Sequence, residues 1–391
     1  MHANRPAISR RECLLGALAI AAAPVAARPA AAQTPVPVAE IDFATRIGVL
    51  LAAMPADAID RRGTFFYADL AGQLAAAGVE RPDSGRTTRD LPEGYAQATV
   101  ALPLASRAFD SGLDPSWYPT FGFAPAALGQ ALMLNDSMGA LALFRGGFDP
   151  DAVRDALAAS GYAMTRREHG DAFTIGEDPD LESTVGRLTL GTMNHAIVRD
   201  DLLVFAGDES RVDDVLAVLA GSAPSMAEAD RWTGLAALFS PDLVGMIPVP
   251  ASALAFWRDG ATPTATAAAL VDMALGVRGG SRSEPLALGG EGTPQATPVG
   301  VAPEPARIEA RLRYADAEIA TREAAAIPRR WRGGESQVTE EPFADLMELV
   351  EARVSPTDPR AVALDFVADA PNRWSQMIFT NDLSPFVPEM E

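Results

Sequence analysis

One local pattern limits the fold of this chain more than any other. A short run of β-forming residues ends at or near an aspartate, and a run with helical spacing follows. Residues 64–68 lead to Asp69 and then 70–77. Residues 140–144 lead to Asp149 and 150–160, and 202–206 to Asp208 and 209–220. Residues 307–314 lead to Asp316 and 317–326, and 361–367 to Asp369 and 371–379. An aspartate in this position accepts hydrogen bonds from the free amides of the first helical turn. Pro150 and Pro371 suit helix starts, and Gly78, Gly161 and Gly221 suit helix ends. After Asp208, Val212, Val215, Leu216 and Leu219 fall at i, i+3, i+4 and i+7 and form one apolar stripe. These aspartates therefore read as helix caps before anything else.

Further strands are expected between these units. Residues 163–168 and 172–176 flank a hairpin turn at His169-Gly170. Residues 187–198 alternate as a longer strand, and 243–249 and 271–278 are apolar runs of strand length. The order strand-helix-strand-strand-strand-helix runs across 140–220, and a similar order runs across 306–380. The expected class is α+β: two similar modules of antiparallel sheet with helices packed on one face, suggesting a duplication. The boundaries expected are a tether at 33–38, an N-terminal module at 39–260 and a C-terminal module at 261–391. Gly279-Gly280, Gly289-Gly290 and Pro294, Pro298, Pro303 and Pro305 mark a flexible loop at 280–305 in the second module.

The chain has 391 residues and a formal net charge of −20. So acidic a surface repels nucleic acid and anionic lipid. Its 32 basic residues are all arginine, which excludes Schiff-base lysines and the lysine of a phosphate-binding P-loop. The one cysteine is Cys13.

Residues 1–32 have three parts: a basic start, an apolar run of about 14 residues, and Ala30-Ala31-Ala32 before Gln33. That is the layout of a secretory signal, and the apolar run is too short for a bilayer span. Ser9-Arg10-Arg11-Glu12-Cys13-Leu14 resembles the twin-arginine export motif, with Cys13 in place of the usual phenylalanine. The resemblance implies export of the folded chain by the twin-arginine translocase, cleavage between Ala32 and Gln33, and a periplasmic, cell-wall or secreted location. Cleavage would leave a mature chain without cysteine, and so without disulfides. No later segment is apolar enough for a transmembrane span.

A second resemblance is looser. Arg145-Gly146-Gly147-Phe148-Asp149, Ala156-Leu157, Gly161-Tyr162 and Arg313-Tyr314-Ala315-Asp316 are similar to patterns in exported bacterial envelope proteins of unknown function. It implies an envelope location and carries over no functional residues.

Candidate sites each compete with a plainer reading. His195 shares a strand face with Met193 and Ile197, and no Gly-x-Ser-x-Gly elbow supplies it with a nucleophile. Glu177, Asp178, Asp180 and Glu182 offer carboxylates for calcium or, as Glu177 with Asp180, for glycan hydrolysis, but lack EF-hand spacing. A solvated acidic turn is the plain alternative. Trp117, Tyr118, Phe121 and Phe123 form an aromatic stretch that suits either a ligand platform or a loop anchored in the core. Arg329, Arg330 and Trp331 form the basic cluster, an anion or partner contact or else a helix end, with Pro328 expected to stop or kink the helix. No cofactor motif is identified. The reading is an exported, non-catalytic binding protein for an envelope ligand or protein partner. The alternative is an extracytoplasmic hydrolase using carboxylates or a histidine.

Overall fold

The computed structural model describes residues 41–58, 64–83, 91–136, 139–176, 180–229, 231–250, 269–280, 305–380 and 382–386. The expected signal and tether, the loop 280–305 over most of its length, and the carboxylates of Glu177 and Asp178 lie outside the described residues.

The described residues form one antiparallel sheet of twelve strands. They are β1 Thr64–Asp69, β2 Gln130–Asp136, β3 Gly139–Arg145, β4 Ala163–Arg167, β5 Gly170–Thr174, β6 His195–Val198, β7 Leu203–Ala206, β8 Leu243–Pro250, β9 Leu270–Arg278, β10 Ala306–Tyr314, β11 Glu348–Val354 and β12 Ala361–Ala368. The helices are α1 Phe43–Leu51, α2 Leu70–Ala76, α3 Tyr95–Thr99, α4 Arg107–Ser111, α5 Trp117–Phe121, α6 Pro150–Ala159, α7 Thr184–Thr189, α8 Glu209–Leu219, α9 Arg231–Ala236, α10 Ala317–Gly333, α11 Phe343–Leu346 and α12 Arg373–Phe379.

Capping explains most of the helix starts. Asp69, Asp149, Asp208 and Asp316 accept from the amides of Gly72, Asp151, Ser210 and Ile319 at 2.8, 3.0, 2.8 and 2.8 Å. The fifth expected cap fails. The last α-helix begins at Arg373, after Asn372, and has no side-chain cap. Residues 187–198 are also not one strand. Ser183 caps α7 through the Gly186 amide at 3.0 Å, and the chain leaves the helix through Leu190 in the left-handed region before β6 begins. Pro328 does not stop α10, which runs on to Gly333.

The strand order is β11-β12-β10-β9-β8-β1-β2-β3-β7-β6-β5-β4. Read outward from the antiparallel β1–β8 pair, it shows two modules of one design. Three strands meander outward, an aspartate-capped helix follows the third, and the chain returns from the sheet edge to pair beside that third strand. β7 returns to β3, and β12 returns to β10. β8 belongs to the second module by this order, ahead of the expected boundary at 260.

Strand alternation creates two cores, one on each face. On the first face Phe66, Met133, Phe144 and Phe205 continue into Leu275, Leu312 and Phe366, beneath α5, α6, α10 and α12. On the second face Phe65, Tyr67, Leu132, Leu143 and Val204 lie beneath α1, α8 and α9. Each large apolar side chain so buried contributes roughly 1.5–3 kcal/mol. The modules differ here: α8 packs on the second face, whereas its counterpart α12 joins the first. Among the described residues, no helix covers the second face of β10, β12 and β11.

Candidate functional site

The sequence candidates fall mostly into the core. Trp117, Phe121 and Phe123 are fully buried. Trp117 meets Phe121 at 4.4 Å between ring centres, and Phe121 and Phe123 each meet Phe205 at 5.8 Å. The ligand-platform expectation is corrected on these three. Their first-face packing leaves only Tyr118 half-exposed. Trp331 is likewise buried, among Phe343, Phe366 and Phe386, with its Nε1 donating to the Met347 carbonyl at 3.0 Å. Arg330 donates to the Pro385 carbonyl at 2.9 Å and to Glu323 at 2.5 Å, so it ties α10 to the C-terminal turn. Arg329 remains exposed.

His195 is 1% exposed on β6, paired by register to Thr174 of β5 and Ala206 of β7. Its Nδ1 lies 3.3 Å from Thr174 Oγ1, and its Nε2 is buried without a partner. No substrate reaches a ring enclosed in this way, so the catalytic expectation for His195 is corrected as well. His169 stands in the two-residue turn between Arg167 and Gly170. Asp180 accepts from the amide of Glu182 at 3.1 Å, and its carbonyl accepts from Ser183. These two positions shape the entry to α7. No group of three or more His, Cys, Asp or Glu placed to hold a metal occurs among the described residues.

The structure instead brings together residues that the sequence reading treated separately. At one end of the central strands, register sets Asp69 of β1 opposite Gln130 of β2, and Gln130 opposite Arg145 of β3. Alternation places all three on the second face, in line with Tyr67, Leu132 and Leu143. Asp69 is buried, receives the Gly72 amide, and pairs with Arg46 Nε of α1 at 2.9 Å. Arg46 also donates to the carbonyls of Ile41, Pro241 and Leu243, locking α1 to the strand end. Burial pushes the Asp69 carboxyl above its ordinary range, against the opposing pull of the Gly72 amide and Arg46. Gln130 Nε2 donates to Tyr67 Oη at 3.1 Å. Burial, reinforced by the Asp69 charge, pushes the Tyr67 phenol well up.

The outer end of this row is cationic. Arg145 is half-buried, and its side chain has no hydrogen bond or ion pair among the described residues. The turn that it opens, Gly146-Gly147, receives a second arginine. Arg81 donates Nε and Nη2 to the Ala127 carbonyl at 2.9 and 2.6 Å. Its guanidinium lies where a side chain on Gly147 would stand. A Cβ there would sit 2.3 Å from Arg81 Nη2 and 1.7 Å from the Ala127 oxygen, at a φ of +80°. Only glycine fits that position.

A second polar cluster lies on the second face of the second module, where the 238–242 segment rather than a helix covers its centre. Asp242, Arg278, Glu309, Arg311, Asp365, Arg353 and Glu351 alternate in sign across β9, β10, β12 and β11. The Arg278–Asp242, Arg311–Asp365 and Arg353–Asp365 contacts measure 2.7, 3.1 and 2.9 Å. Glu309 and Arg311 form the buried centre, each 3% exposed. Arg311 is flanked by Ala274 and Ala363, and Glu309 by Gly276 and Asp365. Ala274, Ala363 and Gly276 are small enough to let the long side chains lie flat on the sheet. Ser240 donates to Glu309 from both its amide and its hydroxyl. Arg311 donates to the Leu238 carbonyl at 2.8 Å and stacks 5.1 Å from the Phe239 ring centre. Every buried charge in this ladder has a partner, which is what a structural network requires.

The central row is therefore the candidate site. It combines a held carboxylate, an amide, and an arginine whose donors face no protein acceptor among the described residues. Such a set binds polar ligands by hydrogen bonding and charge. In the sequence Arg145 stands out only beside a Gly-Gly pair and Asp69 only as a cap. Gln130 carried no signal of its own.

No family model, no curated protein and no solved structure matches this chain.

Proposed function

We propose that this is an exported envelope protein that acts by binding a ligand, and that the central row Asp69–Gln130–Arg145 is where it binds. One observation carries the reading. A half-buried arginine at the end of a central strand keeps its donors unpaired among the described residues, beside an amide and a buried carboxylate in register. Buried polar groups in folded proteins are generally satisfied, and the carboxylate and amide of this row follow that rule. A group left open toward a strand end marks a place for an external acceptor. The export reading rests on Ser9, Arg10, Arg11 and Leu14 and on the small residues before Gln33.

Thermal denaturation against envelope glycans, lipids, calcium and small polar solutes tests the binding reading. The expected result is stabilisation by at least one class, reduced by Gln130→Leu or Arg145→Gln. Stabilisation by none of them, or a shift that both variants retain in full, contradicts it. For export, fusing residues 1–40 to a folded reporter is expected to send it across the membrane, and replacing Arg10 and Arg11 with lysine to stop it. A reporter that crosses equally well with both lysines refutes the twin-arginine assignment.

A further inference from the structure

We infer that the outer end of the central row binds a small oxyanion, a phosphate, sulfate or carboxylate group, with Arg145 as the principal contact and Arg81 beside it. The inference rests on the binding reading above and names the chemistry of its ligand.

Arg145 stands apart from comparable residues. The half-buried arginines Arg46, Arg278, Arg313 and Arg353 on the same sheet face each pair with a carboxylate at 3.1 Å or less. Arg145, equally half-buried, has none among the described residues. Its neighbour across the strand pair is Gln130, whose amide donates to Tyr67, so no carboxylate lies opposite it. A guanidinium presents five N–H donors in a planar fork suited to the two oxygens of a carboxylate or phosphate.

Arg81 adds a second cation at the same turn. Its Nε and Nη2 are engaged by the Ala127 carbonyl, which fixes the plane of the group and leaves Nη1 for another acceptor. It lies against Gly147, two residues after Arg145. Burial lowers the Arg81 pKa, and the Asp69 charge opposes that. Arg81, by its packing against Gly147, and Arg145, by its place in the chain, thus bring two cations to the Gly146-Gly147 turn. Asp69 offers its charge to Arg81 but is no partner of Arg145. It is engaged by Arg46 and the Gly72 amide, and it lies two strands from Arg145, about 10 Å at ordinary strand spacing. The net charge of −20 repels anions at long range, so selectivity for one has to come from local donors such as these.

The test is thermal denaturation and titration calorimetry of the purified protein with inorganic phosphate, sulfate and citrate, against sodium chloride at equal ionic strength. Neutral envelope glycans serve as a parallel series. The expected result is a saturable rise in Tm with at least one oxyanion and a Kd weakened about tenfold or more by Arg145→Gln. Arg145→Lys, which keeps the charge and loses the fork, should fall between the two. Far-UV circular dichroism confirms that each variant is folded. If the oxyanions shift wild type and Arg145→Gln equally, the assignment is overturned. If neutral glycans stabilise the protein through Gln130 while oxyanions do nothing, the ligand class is wrong and the binding site stands. If no ligand of either series binds, both readings fall.

Discussion

Replacing Arg311 with methionine isolates the centre of the charge ladder. Methionine keeps an unbranched stem over Ala274 and Ala363, so the change removes charge and hydrogen bonds with little loss of packing. The loss is concentrated at Glu309. That carboxylate is 3% exposed, and without Arg311 its remaining partners are Ser240 and, at 3.9 Å, Arg278. Removing one member of a buried ion pair costs about 3–5 kcal/mol, chiefly because the other charge stays buried. The Leu238 and Leu364 carbonyls also lose a donor, and Phe239 loses its stacked cation. Urea unfolding followed by tryptophan fluorescence reads the change, since Trp117, Trp232, Trp331 and Trp374 are all buried. The variant Glu309→Gln with Arg311→Met should recover about 1–3 kcal/mol of the loss, because the stranded charge is gone. A cost below about 1 kcal/mol for Arg311→Met, or a double variant as unstable as the two single losses summed, would refute the reasoning.

Three further outcomes follow from the same geometry. Asp208→Ala removes the cap of α8 and should cost about 1 kcal/mol at neutral pH. Hydrogen bonds from Ser210 hold the Asp208 carboxyl below its ordinary pKa, so this stability is present above the unfolded value of 3.8 and is lost as pH falls through the lower folded value. A gap between wild type and variant that stays constant to pH 2 contradicts that. Asp69 has the opposite sign, because its folded pKa is raised. Wild type should gain stability relative to Asp69→Asn as pH falls from 7 through that raised value, as read by Tm at several pH values, and a relative loss contradicts it. Gly147→Ala forces a side chain into the Ala127 carbonyl at positive φ. It should cost more than the roughly 1–2 kcal/mol of the backbone conformation alone, and an unchanged Tm would show that the turn is not held as described.

How much of this was legible in the sequence depends on how local the cause is. Asp69, Asp149, Asp208 and Asp316 were readable as caps because a cap and the amide it satisfies lie two or three residues apart. The α+β class and the two modules followed from the same local units. The strand expected at 187–198 overlaps the end of a helix because Thr-Val-Gly-Arg-Leu-Thr at 184–189 is a poor helix former. The Ser183 cap and the packing of Val185 and Leu188 override that preference. The aromatic stretch at 117–123 looks the same in sequence whether it faces solvent or core, and only its meeting with Phe144 and Phe205 decides. The central row was out of reach for a different reason. Asp69 lies far in sequence from the hairpin that carries Gln130 and Arg145, and the register of all three is known only once the strands pair. The ladder was half visible. Arg307, Glu309, Arg311 and Arg313 alternate along β10, but their partners Ser240, Asp358 and Asp365 lie on other elements.

The central claim is that Arg145 meets an external ligand, and the NMR resonance of its side chain reports on that contact most directly. In protein labelled with isotopic arginine, the Nε–H signal absent from Arg145→Gln spectra identifies the residue. The account predicts that this signal shifts saturably as inorganic phosphate is added at constant ionic strength, while the Arg311 signal does not move. An Arg145 signal that stays fixed across the titration, or that moves no more than that of exposed Arg329, would contradict it.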